Sequence, residues 1–304
     1  MAFVLRNIKA PYFRGYATLG AQSAKAPSET RKLEQTLTKF WEKVDLSEKD
    51  DGYHILLDGK SIKTPLGFQL TVPKNKHTLA YLLAHEWKHL PSLQIKPYLV
   101  PLTSLVSRCI DLEQSHKKQD AELLTKVGDK ENLKALLLRY LDTDTLLVFS
   151  PAKDCDGKLR KAQEETYRPI MKSMEEFFQP YAENGEEVKL TYMDSDVHGL
   201  VGNKQPEATV KAVRKWLDTL DFWSLASLEK ATLTAKSFLS GVAILRLNDK
   251  QDNIDLTVDD IARAATLETI YQTERWGEVE DTHDVDKVDV QRNLTSASLI
   301  VYEH

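Results

Sequence analysis

Turn-forming residues recur every six to ten positions between residues 40 and 73, and short β-prone runs lie between them. Such spacing is typical of a meander of short antiparallel strands. Because Pro73 ends this pattern, the sequence predicts a small sheet near the start of the chain. The predicted strands cover residues 40–46, 53–58, 61–64 and 68–72.

After Pro73, apolar residues mostly recur at helical spacing, and two further short apolar runs favour strands at 145–149 and 188–193. A linker-like break follows at Asp154–Gly157. The predicted fold class is therefore α+β, with a small antiparallel strand-rich N-terminal domain at 38–150 and a mainly α-helical C-terminal domain at 157–304. Predicted helices begin near residues 75 and 101 and cover 132–141, 158–181, 206–220, 222–233, 234–247, 257–266 and 284–302.

The first 28 residues differ from the rest of the chain. They contain four basic residues and no acid, and apolar residues such as Phe3 and Ile8 alternate with the bases. A basic, acid-free, amphipathic N-terminus is typical of a mitochondrial transit peptide, so we predict one at residues 1–28. Its removal would lower the formal net charge from −5 to −9. Such an acidic protein is a poor candidate for binding nucleic acid.

Composition and motifs exclude several other classes. The chain has 304 residues, and no apolar run approaches the roughly 18 to 20 residues that a membrane span requires. Two isolated cysteines, Cys109 and Cys155, form neither a disulfide framework nor a zinc motif. Because no glycine-rich phosphate loop, HExxH or GxSxG motif occurs, we expect no cofactor and no catalytic centre of those kinds.

Clusters of acidic residues leave a second interpretation open. Asp194, Asp196 and His198 lie close together in the sequence, and carboxylates near a histidine can bind a divalent ion. The alternative function is therefore a metal-dependent hydrolase, although such clusters are more often solvated turns or helix caps. A second cluster lies at residues 278–284, where Thr282 or Asp284 can cap the last helix. We interpret Asp142 or Asp144 as a turn residue held by Arg139.

Glu268 is the acidic residue whose position is hardest to explain. If residues 257–276 form one helix with about 100° per residue, Glu268 falls between Ile261 and Ala264 inside an apolar arc. Burying a carboxylate there costs several kcal/mol unless a cation or donors meet it. Two explanations stay open: an internal ion pair with Arg275 or a distant arginine, or a face that is only partly closed and meets a partner.

Trp87 lies on the inner face of the helix that begins near residue 75, together with Leu79 and Leu83. A large aromatic side chain at such a position usually belongs to the core, and it can also shape a neighbouring binding face. Glu86 lies outside that face and is predicted to be exposed.

Six segments that occur in order along residues 38–300 together resemble one known family. Each is weak alone, but their order and spacing are specific. The chain resembles the mitochondrial assembly chaperones that hold the alpha subunit of the ATP synthase catalytic head before it pairs with beta. Residues 276–284 make the similarity closer to fungal members. The six segments are Phe40–Val44, Leu57–Pro65, Glu86–Trp87, Pro101–Leu105, Arg139–Leu146 and Leu267–Gly277.

The resemblance implies a strand-rich N-terminal domain, a helical C-terminal domain, a matrix location and no catalytic activity. It also implies that the acid of the Leu-Glu motif, here Glu268, is functionally important. The expected partner is the alpha subunit, bound by a monomer that does not associate stably with membranes. Residues expected at the partner-binding surface are Glu268, Gln272, Arg275, Trp276 and Trp87.

Overall fold

A computed structural model describes residues 41–90, 97–199, 202–247, 249, 253–277 and 283–303. The predicted transit peptide lies outside these residues, and so do residues 278–282 of the acidic cluster at 278–284, including the proposed cap Thr282. Within the described part of the chain, no helix combines the length and the apolar character that a membrane span requires.

An antiparallel sheet occupies the start of the described chain. Its longest pair joins β1 (Val44–Lys49) to β2 (Gly52–Leu57). Strand β2 also pairs with β3 (Lys60–Ser61) and β4 (Thr71–Val72), so it forms the centre of the sheet. The meander is confirmed, but β1 begins at Val44 rather than residue 40. The backbone N–H groups of Glu42 and Lys43 are bonded to the carboxylate of Asp58 instead of to a strand.

Helices follow the sheet and make up most of the remaining chain, which confirms the predicted α+β class. In the first half they are α1 (His77–Lys88), α2 (Pro101–Lys118), α3 (Ala121–Val127) and α4 (Lys130–Asp142). In the second half they are α5 (Lys158–Phe178), α6 (Ser195–His198), α7 (Glu207–Thr219), α8 (Phe222–Ala235), α9 (Phe238–Arg246), α10 (Val258–Ala265), α11 (Leu267–Trp276) and α12 (His283–Val301).

The two later strands are much shorter than predicted. Strand β5 (Val148–Phe149) pairs in parallel with β6 (Met193–Asp194), and Thr145–Leu147 forms a 3-10 turn. The run 188–191 does not pair as a strand because side chains accept its backbone hydrogens. The acceptors are Gln179 for Val188, Thr209 for Lys189, Glu175 for Leu190 and Gln205 for Thr191.

One hydrophobic core extends across the predicted domain boundary. Buried residues of the sheet and of α1 and α2 belong to the same cluster as those of α5, α8 and α9. The β5–β6 pair and an ion pair between Arg108 on α2 and Glu229 on α8 also cross the boundary. A division into domains near residues 150–157 stays a prediction. Cys109 and Cys155 are both buried.

Candidate functional site

The helix that carries Glu268 does not continue from the helix before it. Helix α10 begins with a capping box in which the side chains and backbones of Thr257 and Asp260 bond reciprocally. It ends at Ala265, and Thr266 has non-helical dihedral angles of φ −110° and ψ 11°. Helix α11 then begins at Leu267. A helical projection carried across Thr266 therefore assigns Glu268 to the wrong face.

Helix α11 presents its polar face to solvent. Leu267 is buried, whereas Glu268 and Arg275 are exposed and Gln272 is half-buried. Nε2 of Gln272 donates to Oε1 of Glu268 at 2.8 Å, one turn along the helix. The described residues offer Oε2 of Glu268 no donor within hydrogen-bond distance. This face therefore holds an acceptor that an approaching partner can use.

Trp276 ends α11 and is 71% exposed. The guanidinium of Arg275 lies 5.9 Å from the centre of its ring, which is within the range of a cation–π contact. Gly277 follows with φ 88° and stops the helix. Tryptophan and arginine are both among the residue types enriched at energetically important interface positions. Glu268, Gln272, Arg275 and Trp276 therefore lie together on one exposed helix, which we call the α11 face.

The inner side of α11 rests on α5 and on the turn Asp154–Gly157. In that turn Cys155 and Asp156 adopt left-handed φ angles of 49° and 56°. The Cys155 thiol lies 3.7 Å from the carbonyl oxygen of Tyr271, to which it donates. Tyr167 of α5 donates to the carbonyl of Ala264 just before α11. These contacts fix the back of α11 and leave its polar face open.

The internal ion pair proposed for Glu268 is wrong. Its carboxylate is exposed and bonded to Gln272, and Arg275 contacts Trp276 instead. The alternative explanation, an incompletely closed face, agrees with the exposure of these side chains. Whether this face binds a partner stays a prediction.

Trp87 lies elsewhere and is buried. It packs edge-on against Trp41 with ring centres 5.1 Å apart, and its Nε1 donates to Oγ1 of Thr103 at 2.8 Å. These contacts belong to α1, α2 and the start of the sheet, whereas α11 rests on α5. The structure brings four of the five candidate residues together, and Trp87 belongs to the core.

Glu86 is partly buried, so its predicted exposure is wrong. Helix α2 begins at Pro101 after Val100, a residue whose side chain cannot cap. Glu86 caps it from α1: its carboxylate accepts from the N–H groups of Leu102 and Thr103, both at 2.9 Å, and from Oγ1 of Thr103. Burial raises the pKa of Glu86, while the Thr103 and Leu102 donors act in the opposite direction. Nothing in the sequence pairs Glu86 with a helix that starts 15 positions later.

Arg139 was predicted to hold Asp142 or Asp144, but backbone N–H groups bond to both carboxylates instead. Asp144 is fully buried, and it accepts from the N–H groups of Leu146 and Leu239, both at 2.8 Å. It thereby caps both the 3-10 turn and the first turn of α9. Burial raises the pKa of Asp144 to about 6. Asp142 accepts from the N–H of Gln205.

Asp194, Asp196 and His198, the residues of the hydrolase interpretation, form hydrogen bonds to other parts of the fold. Asp194 forms a bidentate pair with Arg160, whose hydrogen bond lowers the pKa of that carboxyl. Asp196 accepts from the N–H of Ala152 at 2.7 Å, and His198 Nδ1 accepts from the N–H of Asp194. Among the residues that the structure describes, no group of three or more His, Cys, Asp or Glu could hold a metal ion. This geometry gives the hydrolase interpretation no support.

A second surface was not predicted from the sequence. An open groove of about 430 Å³ lies between the ends of α1 and α2 and the side of α12. Its lining includes Glu86, Leu102, Val288 and Arg292, and Val288 is 59% exposed. Helices that are far apart in the sequence form this groove together, so no local pattern could have revealed it.

Comparisons with known proteins place the chain in a family. A family model described as ATP12 chaperone protein matches residues 38–175. A mitochondrial protein of Saccharomyces cerevisiae named ATP12 is 48% identical over 287 residues, which cover 91% of this chain and 87% of that protein. Mitochondrial atp12 of Schizosaccharomyces pombe is 36% identical over 264 residues, covering 86% of this chain and 81% of that protein.

The fold is shared with solved bacterial structures. Atp12 from Paracoccus denitrificans aligns with a TM-score of 0.63 at 21% identity, covering 88% of this chain and 98% of that chain. A chain from Agrobacterium tumefaciens aligns with a TM-score of 0.65, also at 21% identity, over 90% of this chain and 91% of that one. The extent and level of identity to the two yeast proteins, together with the matching family model, show that this chain belongs to the ATP12 chaperone family.

Proposed function

We propose that this chain binds the unassembled alpha subunit of mitochondrial ATP synthase in the matrix, prevents its aggregation, and hands it over for assembly with beta. Membership of a chaperone family and two relatives named as mitochondrial proteins support this proposal. The segment resemblance that names the alpha subunit supports it further. In this proposal the chain acts as a monomer and makes or breaks no covalent bond.

The observation that carries the proposal is the α11 face. Glu268 and Gln272 form a polar pair that is open to solvent, and the largely exposed Trp276 ends the same helix. A carboxylate, an amide and an indole on one helix suit a protein interface, in which polar contacts supply specificity and aromatic contacts supply affinity. The helix is also held from behind, so it can bind without reorganising.

The task itself sets limits on affinity. An unpaired alpha subunit exposes the surface that will later face beta, and large exposed apolar patches lead to aggregation. A chaperone that covers this surface must bind more weakly than beta does, because beta has to displace it. A docking face with one exposed tryptophan and a few polar groups is suited to such a limited affinity.

We predict that Glu268→Gln folds normally but loses the ability to keep the alpha subunit soluble. Glutamine keeps the size and one acceptor oxygen of the side chain but removes its charge. We expect capture to weaken by about tenfold, which corresponds to about 1.4 kcal/mol. Light scattering of alpha subunit diluted from denaturant, with increasing amounts of each variant, measures the effect.

Two matched variants sharpen this experiment. Trp276→Ala should weaken capture, whereas Tyr81→Ala, which removes a ring that is 63% exposed on α1, should not. If Glu268→Gln and Glu268→Lys both keep the alpha subunit soluble, the α11 face is not the binding site. If the unaltered chain fails to suppress aggregation while beta still captures the alpha subunit, the proposed function itself is wrong.

A further inference from the structure

A side chain from α5 bonds to the backbone at the junction between α10 and α11. In a continuous helix, the carbonyl of Ala264 would accept from the N–H of Glu268, four residues later. Thr266 interrupts the helix, and its N–H donates to the carbonyl of Ala262 at 3.1 Å, which closes α10. The hydroxyl of Tyr167 donates to the carbonyl of Ala264 at 3.2 Å. Tyr167 therefore supplies a donor at the carbonyl that helix continuation would use.

Tyr167 is itself fixed in place. Its side chain is 1% exposed, and its ring packs edge-on against Phe149 with ring centres 5.7 Å apart. Gln163, one turn earlier on α5, bonds to the Tyr167 hydroxyl. Gln163 is anchored by Ser150, whose N–H donates to Oε1 of Gln163 at 2.8 Å. A chain of hydrogen bonds thus runs from the end of β5 to the junction and holds the carbonyl of Ala264 in position.

The Tyr167 hydroxyl keeps its proton and lies near Glu268. Burial raises the pKa of Tyr167, the bond from Gln163 acts in the opposite direction, and the negative charge of Glu268 raises the pKa further. A protonated phenol can donate to the carbonyl of Ala264 at every pH at which the chain is studied. The influence of Glu268 on this pKa also shows that the hydroxyl and the carboxylate flank the same junction.

The break at Thr266 determines whether Glu268 faces water. Ile261 and Ala264 are 1% and 0% exposed, and a helix continued through Thr266 would place Glu268 between them. With the break in place, Glu268 is exposed and accepts from Gln272. The α11 face is therefore open only while the break is maintained.

We infer that Tyr167 is a positioning residue for the α11 face: its hydroxyl holds the carbonyl of Ala264 and thereby maintains the break that keeps Glu268 exposed. This inference rests on the proposed function and adds the residue that prepares its binding face. A face held in its binding conformation pays less ordering entropy when a partner docks. Loss of the hydroxyl should therefore weaken capture although Tyr167 lies in the core.

The other contact behind α11 is a weaker substitute. The thiol of Cys155 lies 3.7 Å from the carbonyl of Tyr271, one helical turn beyond Glu268. A thiol is a weak donor compared with a phenol. The position of the first turn of α11, which carries Glu268, therefore depends mainly on Tyr167.

Tyr167→Phe tests the hydroxyl alone, because phenylalanine keeps the ring that packs on Phe149. We expect capture of the alpha subunit to weaken about fivefold in the light-scattering titration. Tyr192→Phe is the matched control. Its ring packs edge-on against the same Phe149 at 5.3 Å, but its hydroxyl bonds to Arg168 on α5. The control should capture the alpha subunit as well as the unaltered chain does.

Hydrogen exchange distinguishes positioning from a general loss of stability. In Tyr167→Phe, peptides covering residues 264–272 should exchange at least about threefold faster, and peptides from the sheet should not change. This measurement uses the chain alone and needs no partner. Uniformly faster exchange over the whole fold would show that Tyr167 only supports the core, and the inference would be wrong.

Two substitutions at Thr266 test the break itself. Alanine and glycine both remove the Thr266 hydroxyl, which donates to the carbonyl of Ala262, so they differ mainly in helix propensity. In the Tyr167→Phe background, Thr266→Ala should weaken capture by a further factor of about three, because alanine favours a continuous helix. Thr266→Gly should not weaken capture further. If the glycine variant is the weaker of the two, stability rather than the break controls capture, and the inference fails.

The outcomes separate this inference from the proposed function. If Glu268→Lys abolishes capture but Tyr167→Phe leaves both capture and exchange unchanged, the inference about Tyr167 is wrong and the proposed function stands. If the unaltered chain captures no alpha subunit, the proposed function is wrong, and Tyr167 then has no binding face to position.

Discussion

Glu86 and Glu268 each lie close to the start of a helix, yet their carboxylates have opposite environments. Glu86 reaches across from α1, and both of its oxygens accept hydrogen bonds from the first turn of α2. Glu268 lies in the first turn of α11, and one of its oxygens accepts from Gln272. The first carboxylate is committed to holding two helices together, whereas the second has acceptor capacity left for another molecule. The comparison shows that a carboxylate is available for binding only when its own fold leaves it unsaturated.

The largest loss of stability should come from removing the carboxylate of Glu86, which holds α1 and α2 together. Glu86→Ala would leave the N–H groups of Leu102 and Thr103 without their acceptor and break the bond from Oγ1 of Thr103. Hydrogen bonds to a charged group contribute about 1.5 to 3 kcal/mol each, and buried donors left unpaired cost more. We expect the free energy of unfolding to fall by about 4 kcal/mol, measured by urea denaturation.

A matched variant shows whether capping is the cause. Glu86→Gln keeps one acceptor oxygen, so it should lose less than half as much stability as Glu86→Ala. Trp87 fluorescence should also change in the alanine variant, because its Nε1 bonds to the same Thr103 hydroxyl. Equal losses in the two variants would show that the charge of Glu86, rather than its position as a cap, supports the fold.

The environments of these two glutamates could not be predicted from the sequence, for two different reasons. Helical spacing correctly gave the inner face of α1, including Trp87, but the partner of Glu86 comes from another helix. Helical spacing failed for Glu268 because the non-helical dihedral angles of Thr266 interrupt the helix between Ile261 and Glu268. Local patterns are reliable for the sheet and the long helices, where each element determines its own periodicity. They fail where a polar side chain depends on a neighbour or a junction.

Asp144 is a third carboxylate, and its contribution to the free energy of unfolding is intermediate in size and depends on pH. It caps two elements like Glu86, but it is fully buried, and burial raises its pKa from 3.8 to about 6. Because the folded state then binds the proton more tightly than the unfolded state, the stability from this group is greatest below pH 3.8. It is lost as the pH rises through about 6. A shift of this size corresponds to about 3 kcal/mol.

Comparison with Asp144→Asn isolates this contribution. The difference in unfolding free energy between the unaltered chain and the variant should fall by about 2.4 kcal/mol between pH 4 and pH 7, with the unaltered chain losing stability. Asparagine is less stable as a cap at every pH, but that loss is constant and does not change the slope. A difference that rises with pH would mean that the backbone donors, and not burial, control the titration of Asp144.

The smallest effect on stability, and the sharpest contrast with Glu86, should come from Glu268→Ala. An exposed pair one helical turn apart contributes about 0.2 to 0.5 kcal/mol, and an acid in the first turn about 0.3 to 1 kcal/mol. Alanine recovers part of this because it favours the helix. We therefore expect a loss below about 1 kcal/mol in urea denaturation, together with a clear loss of alpha-subunit capture. A stability loss comparable to that of Glu86→Ala would mean that Glu268 also holds the fold together, and that its oxygens are not available to a partner.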